Sequence, residues 1–394
     1  MNIPQLDSTY IANTYARFPV TIARGKGSLV WDADGKVYID MATGIAVNSF
    51  GIADPAWIRA VTEQLCTVQH ASNLYYTAPD AQLAQLLCEK TGMKKVFFSN
   101  SGAEANECLI KTARKWASDT KGEGEHPFVT LVNSFHGRTL TTVTATGQDT
   151  FHKFFGPFTP GFRYVPASDL AALERQLDAE DCSAVLVEIV QGEGGVRALD
   201  ADYLKAVEAL CHEKNVLFCV DEVQTGNGRT GTWFAYEQFG LSPDLVSTAK
   251  GLGNGLPIGA TLMGSKTAEV LTPGTHGSTF GGNPVACAGA LSVLEQIDDA
   301  FLEAVKQKGA WLTAELEKIP GVKDVSGLGL MLGFSVEGCK SADIKAKALD
   351  NGLVVLTAKD RVRLLPPLAI TEEALSDGLL RLAAAIREVQ EAAH

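Results

Sequence analysis

Between residues 96 and 220 the chain alternates short β-branched and aromatic runs with stretches of helical period, and no other feature restricts the fold as much. The runs are Val96-Phe97-Phe98, Phe128-Val129-Thr130-Leu131-Val132, Ala184-Val185-Leu186-Val187-Glu188-Ile189-Val190 and Val216-Leu217-Phe218-Cys219-Val220. They are apolar on both faces, as strands of a parallel sheet covered by helices on each side must be. Residues 103–118 and 203–214 carry the apolar spacing of helices packed on such a sheet. The implied class is α/β, with a mostly parallel sheet between helical layers.

The C-terminal third reads differently. Strand candidates at 329–336, 354–357 and 362–365 precede a helical pattern over 372–392. In that pattern Leu375, Leu379, Leu382, Ile386 and Val389 recur at three- and four-residue steps. Thr371 suits its N-cap, and Glu372 and Glu373 occupy the first turn, where the helix dipole favours acid. This predicts a smaller α+β domain, and 394 residues suit two packed domains.

Composition excludes several classes of function. The net charge of −12 comes without any basic block, so the chain lacks a footprint for nucleic acid. No apolar run reaches the roughly 18 residues of a membrane span. The eight cysteines (66, 88, 108, 182, 211, 219, 287 and 339) are scattered without a C-x-x-C pair, which implies reduced core residues and no metal site. Met1-Asn2-Ile3-Pro4-Gln5-Leu6-Asp7 lacks the basic and apolar regions of a signal peptide, so the expected compartment is the cytoplasm.

Two polar groups interrupt this apolar pattern where chemistry is expected. Asp221 and Glu222 follow the run ending at Val220, at the carboxyl end of a sheet strand, where open α/β sheets bind ligands. Lys250 stands in Ser247-Thr248-Ala249-Lys250-Gly251-Leu252-Gly253-Asn254-Gly255-Leu256-Pro257, a small, apolar, glycine-rich setting without a neighbouring carboxylate. Desolvation lowers the pKa of such a lysine and favours its addition to a carbonyl. Leu256 stands where the third glycine of a dinucleotide fingerprint belongs, and no Walker loop is present. Taken alone, the segment reads equally well as a glycine-rich turn with a surface lysine.

Seven blocks in order break that tie. They are residues 13–20 (Asn-Thr-Tyr-Ala-Arg-Phe-Pro-Val), 100–107 (Asn-Ser-Gly-Ala-Glu-Ala-Asn-Glu), 134–139 (Ser-Phe-His-Gly-Arg-Thr), 191–196 (Gln-Gly-Glu-Gly-Gly-Val), 221–231, 249–259 and 277–284 (Gly-Ser-Thr-Phe-Gly-Gly-Asn-Pro). Through them nearly the whole chain resembles the class III (ornithine/acetylornithine-type) aminotransferases of pyridoxal-phosphate (PLP) fold type I. The resemblance implies a large PLP-binding domain over 61–285. It also implies a small domain built from both chain ends, 1–60 and 286–394.

It further implies a role for each matching residue. Lys250 would carry pyridoxal 5′-phosphate and move the substrate proton. Asp221 would keep the pyridine nitrogen protonated, Gln224 would bond the phenolic oxygen, and Phe135 would stack on the ring. Ser101, Gly102 and Ala103, opening a helix, would hold the phosphate. Ser278 and Thr279 would complete that site from a partner subunit, which implies a homodimer with shared active sites.

For substrates the resemblance implies two carboxylate clamps, because arginine's planar fork suits a carboxylate. Arg138 would grip the amine donor and Arg363 the α-carboxylate of 2-oxoglutarate or glutamate. Glu193 would pair with Arg363 while the ω-amine donor is bound. Tyr15 and Asn73 would wall the acyl end. The implied reaction is ping-pong transfer of the ω-amino group of N2-acetyl-L-ornithine to 2-oxoglutarate, a step of arginine biosynthesis. Ornithine, succinylornithine or 4-aminobutyrate are the alternative donors, and a PLP-binding regulatory protein without turnover is the non-enzymatic one. The chain departs from the family at 50–55, where a His-x-His-Pro run is usual, and at Glu188-Ile189, where Glu-Pro is usual; neither is expected to touch reacting atoms.

Overall fold

The structure is a computed structural model that describes residues 2–178 and 181–392; the outermost residues of the expected domain ranges, 1 and 393–394, lie outside the described residues. Seven strands form the central sheet: Lys95–Ser99 (β1), Phe128–Leu131 (β2), Phe162–Val165 (β3), Ala184–Val187 (β4), Leu217–Asp221 (β5), Leu245–Thr248 (β6) and Gly259–Met263 (β7). Their spatial order is β1-β7-β6-β5-β4-β2-β3. Six run in one direction, and β7 runs against its two neighbours, β1 and β6. The sheet is therefore mostly parallel, as the apolar runs predict.

Side chains along each strand alternate between two cores. Val185, Val187, Phe218 and Val220 belong to one. Ala184, Leu186, Leu217 and Cys219 belong to the other, with Cys108, Leu109, Ala113 and Trp116 of helix Gly102–Lys121 (α1). Helix Ala201–Glu213 (α2) covers the first face through Tyr203, Leu204 and Val207. Burial on both faces explains why these strands show continuous apolar runs rather than alternation.

The smaller unit joins both chain ends. Strands Ile22–Lys26, Leu29–Asp32 and Val37–Asp40 form a sheet that Leu353–Val354 completes by pairing in parallel with the third. A second, antiparallel sheet contains Val322–Leu328 (β8), Met331–Val336 (β9), Leu356–Ala358 (β10) and Arg361–Leu364 (β11) in the order β8-β9-β11-β10. Helix Glu372–Ala392 (α3) joins the core shared by the two sheets through Leu375, Leu382 and Ile386, with Gly378 set against Ile39 of the first and Met41 just past it. The Thr371 hydroxyl accepts the Ala374 N–H at 3.2 Å, the cap expected from sequence.

The strand expected at 354–357 is divided between two sheets, with Val355 buried at the break. The sequence departures are structural. Ile52 bonds the backbone of Gly27, Asp54 caps helix Pro55–Leu65, and Ile189 is fully buried. No helix among the described residues is long and apolar enough to cross a membrane.

Candidate active site

A cavity of about 400 Å³ opens at the carboxyl ends of β1, β2, β4, β5 and β6. Ser101, Gly102 and Ala103 follow β1, Phe135 and Arg138 follow β2, Asp221 ends β5, Gln224 lies three residues on, and Lys250 follows β6; all line the cavity. The sheet order brings these segments together although they are scattered along the sequence.

Lys250 stands between β6 and β7 with φ at 45°, a left-handed conformation that costs a non-glycine residue about 1–3 kcal/mol. Its amine makes no hydrogen bond or ion pair among the described residues. Burial pushes that amine down to about 8, against the pull of the Glu193 carboxylate.

Asp221 is 4 % exposed and its carboxylate is fixed on several sides. Oδ2 accepts from Asn106 Nδ2 at 2.8 Å and lies 2.8 Å from His136 Nδ1, while Oδ1 accepts the Val223 N–H at 3.0 Å. Asn106 comes from α1, which packs on the same sheet face. Asn106 Oδ1 and His136 Nε2 are buried without partners.

The register pairs Val220 with Val187, so one step beyond it Glu188 lies beside Asp221. Glu188 Oε2 accepts the Phe135 N–H at 2.9 Å, and Oε1 accepts the Gly192 N–H at 3.3 Å. Burial, reinforced by the neighbouring Asp221, raises the Glu188 carboxyl. Sequence reasoning missed Glu188, His136 and Asn106 as site residues. The available signal was a lone carboxylate ending the apolar run 184–187, placed as Asp221 is placed after its own strand.

At the α1 N-terminus the Ser101 hydroxyl accepts the Glu104 N–H at 3.2 Å, and Glu104 returns a bond to the Asn100 N–H at 2.8 Å. A Cβ at Gly102 would lie 2.6 Å from Val223 Cγ1, so the backbone there packs as only glycine can. The N–H groups of the first helical turn lack intrahelical partners and favour an anion.

The two arginines expected to bind substrate differ in their surroundings. Arg363, 3 % exposed, donates from Nη1 to Glu193 Oε1 at 2.6 Å and to Gln224 Oε1 at 3.3 Å. Burial alone would raise the Glu193 carboxyl, but the Arg363 guanidinium holds it below its ordinary value. Among the described residues Arg138 has no carboxylate partner; its guanidinium rests 4.2 Å from the Phe151 ring centre and 5.6 Å from that of Phe135.

Six expected residues do not line this cavity in the single chain: Glu193 and Arg363 adjoin it through Gln224, and four others lie farther off. Ser278 and Thr279 line a separate hollow with Asn73. Ser278 Oγ nonetheless takes a bond from Asn100 at 3.2 Å, and Asn73 donates to the Ser278 and Gly281 carbonyls. Tyr15 is 70 % exposed beside Arg17.

The family model described as aminotransferase class-III matches residues 10–386. A Haemophilus ducreyi protein named acetylornithine aminotransferase is 51 % identical over 98 % of this chain and 99 % of its own. One of the same name from Bacillus subtilis is 45 % identical over 95 % and 96 %. Among solved structures, N-acetylornithine aminotransferase from Stenotrophomonas maltophilia superimposes with a TM-score of 0.86 at 36 % identity, covering 98 % of this chain and 99 % of the other. Ornithine aminotransferase from Toxoplasma gondii, described with PLP partially occupying its active site, gives 0.94 at 35 % identity over 99 % and 94 %.

Proposed function

This chain belongs to the class-III aminotransferase family, and from that premise we propose that it transfers the ω-amino group of N2-acetyl-L-ornithine to 2-oxoglutarate, using pyridoxal 5′-phosphate held around Lys250. The observation that carries this reading is the pairing of a partly buried lysine, without a hydrogen-bond or ion-pair partner among the described residues, with a carboxylate anchored at Asp221, beside two arginines of which one is masked by Glu193.

The residues fit the cofactor. Asp221 is fixed by donors on both oxygens yet faces the cavity, as a partner for a protonated pyridine nitrogen must. The unpartnered N–H groups at the α1 start and the Ser101 hydroxyl suit a phosphate. When bound, PLP supplies a reactive aldehyde and an electron-withdrawing ring that stabilises charge on the substrate carbon.

The chain's own residues do the rest. Lys250 Nζ, its basicity lowered by burial, takes a proton from the substrate carbon and returns one. Phe135 and Gln224 orient the ring, and Asp221 keeps its nitrogen charged. Arg138, carrying no internal ion pair, binds the donor's α-carboxylate and so directs the distal amine inward. Glu193 occupies Arg363 during that half-reaction and swings aside when 2-oxoglutarate brings its own carboxylate.

Tyr15 and Asn73 wall the acyl end. Ser278 and Thr279 serve the phosphate of a partner subunit, a reading supported by the separate hollow they line in their own chain. The active form is a cytoplasmic homodimer with domain boundaries near residues 60 and 285. Likeness to an ornithine aminotransferase supports unacylated ornithine as the second donor. The test is a panel of acetylornithine, succinylornithine, ornithine and 4-aminobutyrate at equal concentration, scored by glutamate formed from 2-oxoglutarate. Acetylornithine should lead; ornithine leading would reassign the donor, and no glutamate from any would overturn the reading.

A further inference from the structure

Glu193 sits in the turn of a hairpin, Val190–Gln191 paired with Arg197–Ala198, and that turn is held from two sides. From the central sheet, Gln191 Nε2 donates to the Val132 carbonyl at 3.0 Å, and Glu188 accepts the Gly192 N–H. Gly194 packs so closely that a Cβ there would lie 2.7 Å from the Asn133 carbonyl oxygen.

From the other side comes β11. Arg361 and Arg363 are two residues apart on this strand and therefore project from one face. Arg363 meets the Glu193 carboxylate, while Arg361 meets the backbone that carries it. Arg361, 1 % exposed, donates from Nη1 to the Gly195 carbonyl at 2.8 Å and to Ser326 Oγ at 2.9 Å. From Nη2 it donates to the Gly333 carbonyl at 2.6 Å and to that of Asp324. Ser326 Oγ donates in turn to the Val196 carbonyl at 2.5 Å.

We infer that Arg361 is a positioning residue for the acceptor clamp: by gripping the backbone just past Glu193, it sets where that carboxylate meets Arg363. The exchange of donor for acceptor is then a rotation of one side chain on an immobile turn. This rests on the proposed reading in which Glu193 masks Arg363 while the donor is bound.

The consequence has a distinctive sign. A dicarboxylate seated on Arg363 must displace Glu193, so its affinity is reduced by the strength of that internal pair. Loosening the grip weakens the pair. Dicarboxylates then bind more tightly, while the amine donor, which needs Arg363 masked, reacts more slowly. General damage to the site would weaken both.

The test is calorimetric titration of the holoenzyme with glutarate, a dicarboxylate without an amine, alongside donor kcat/KM. Arg361→Lys keeps the charge but lacks the fork that reaches several carbonyls. Ser326→Ala removes the hydroxyl that accepts from Arg361 and donates to Val196, leaves the bonds of Arg361 to the Gly195, Gly333 and Asp324 carbonyls in place, and guards against misfolding of the first variant. Each should tighten glutarate by roughly threefold or more and lower donor kcat/KM by a similar factor, the lower end of what one hydrogen bond contributes. In a Glu193→Gln background neither should shift glutarate further, because both act through the same pair. Unchanged or weakened glutarate binding, or full additivity with Glu193→Gln, would overturn the inference. The titration needs no donor, so an error in the donor assignment shows separately, as wild-type protein that binds glutarate but does not turn over acetylornithine.

Discussion

Lys250 combines partial burial, the absence of an ion-pair partner among the described residues and a left-handed backbone at a single position. Its folded-state pKa, near 8, lies below the 10.5 of a free lysine. Below pH 8 the folded protein carries a buried charge at constant cost. Between 8 and 10.5 the unfolded chain still holds a proton that the folded chain has released, so stability rises with pH there. Cofactor-free Lys250→Met should accordingly exceed the wild type at pH 7 by about 1–3 kcal/mol in urea unfolding, the gap closing toward pH 10.5. Equal stabilities at pH 7 would mean that the ammonium is already solvated. In the holoenzyme, Lys250→Ala should lower turnover by roughly 10²–10⁴-fold through loss of the proton carrier; a smaller loss would move that role elsewhere. Lys250 and Asp221 are legible in sequence because each interrupts an apolar or glycine-rich run. Glu188 carries the same signal, a carboxylate ending an apolar run, whereas His136 and Asn106 do not, because their contacts depend on which loop and helix face meet the sheet.

At the scale of elements, the apolar runs locate β1, β2, β4 and β5, and the spacing of Leu375, Leu382 and Ile386 locates α3. The small strands at the N-terminus escape sequence reading because they lie half-exposed and mix charged with apolar residues, as in Ile22–Lys26. Val354–Thr357 reads as one strand, but the chain crosses there from one sheet to another, a tertiary choice invisible to local pattern. The cap of α3 offers a clean test. Thr371→Ala removes the hydroxyl that accepts the Ala374 N–H and should cost about 1 kcal/mol of stability by denaturant titration, with kcat unchanged. A stability loss with altered kcat would tie this helix to the site.

At the scale of the whole molecule, Leu74, Tyr75 and Tyr76 are 88, 73 and 105 % exposed, next to the hollow that holds Asn73, Ser278 and Thr279. An apolar cluster of this kind suits an interface. The proposed sharing of sites between subunits makes a specific prediction for hybrids. Mixing Lys250→Ala subunits with Thr279→Glu subunits should restore activity that neither shows alone, because one of the two sites would then contain both native residues. Mixtures as inactive as their components would show that each subunit works by itself. The antiparallel β7 has a last consequence. The segment bearing Lys250 does not lead into a crossover helix but turns straight back into the sheet, with Thr248 registered against Ala260. Both ends of that segment are stitched to neighbouring strands, so its amides should be among the last to exchange in deuterated solvent. Any opening that admits substrate should then leave the Lys250 segment still, a stationary point about which other elements breathe.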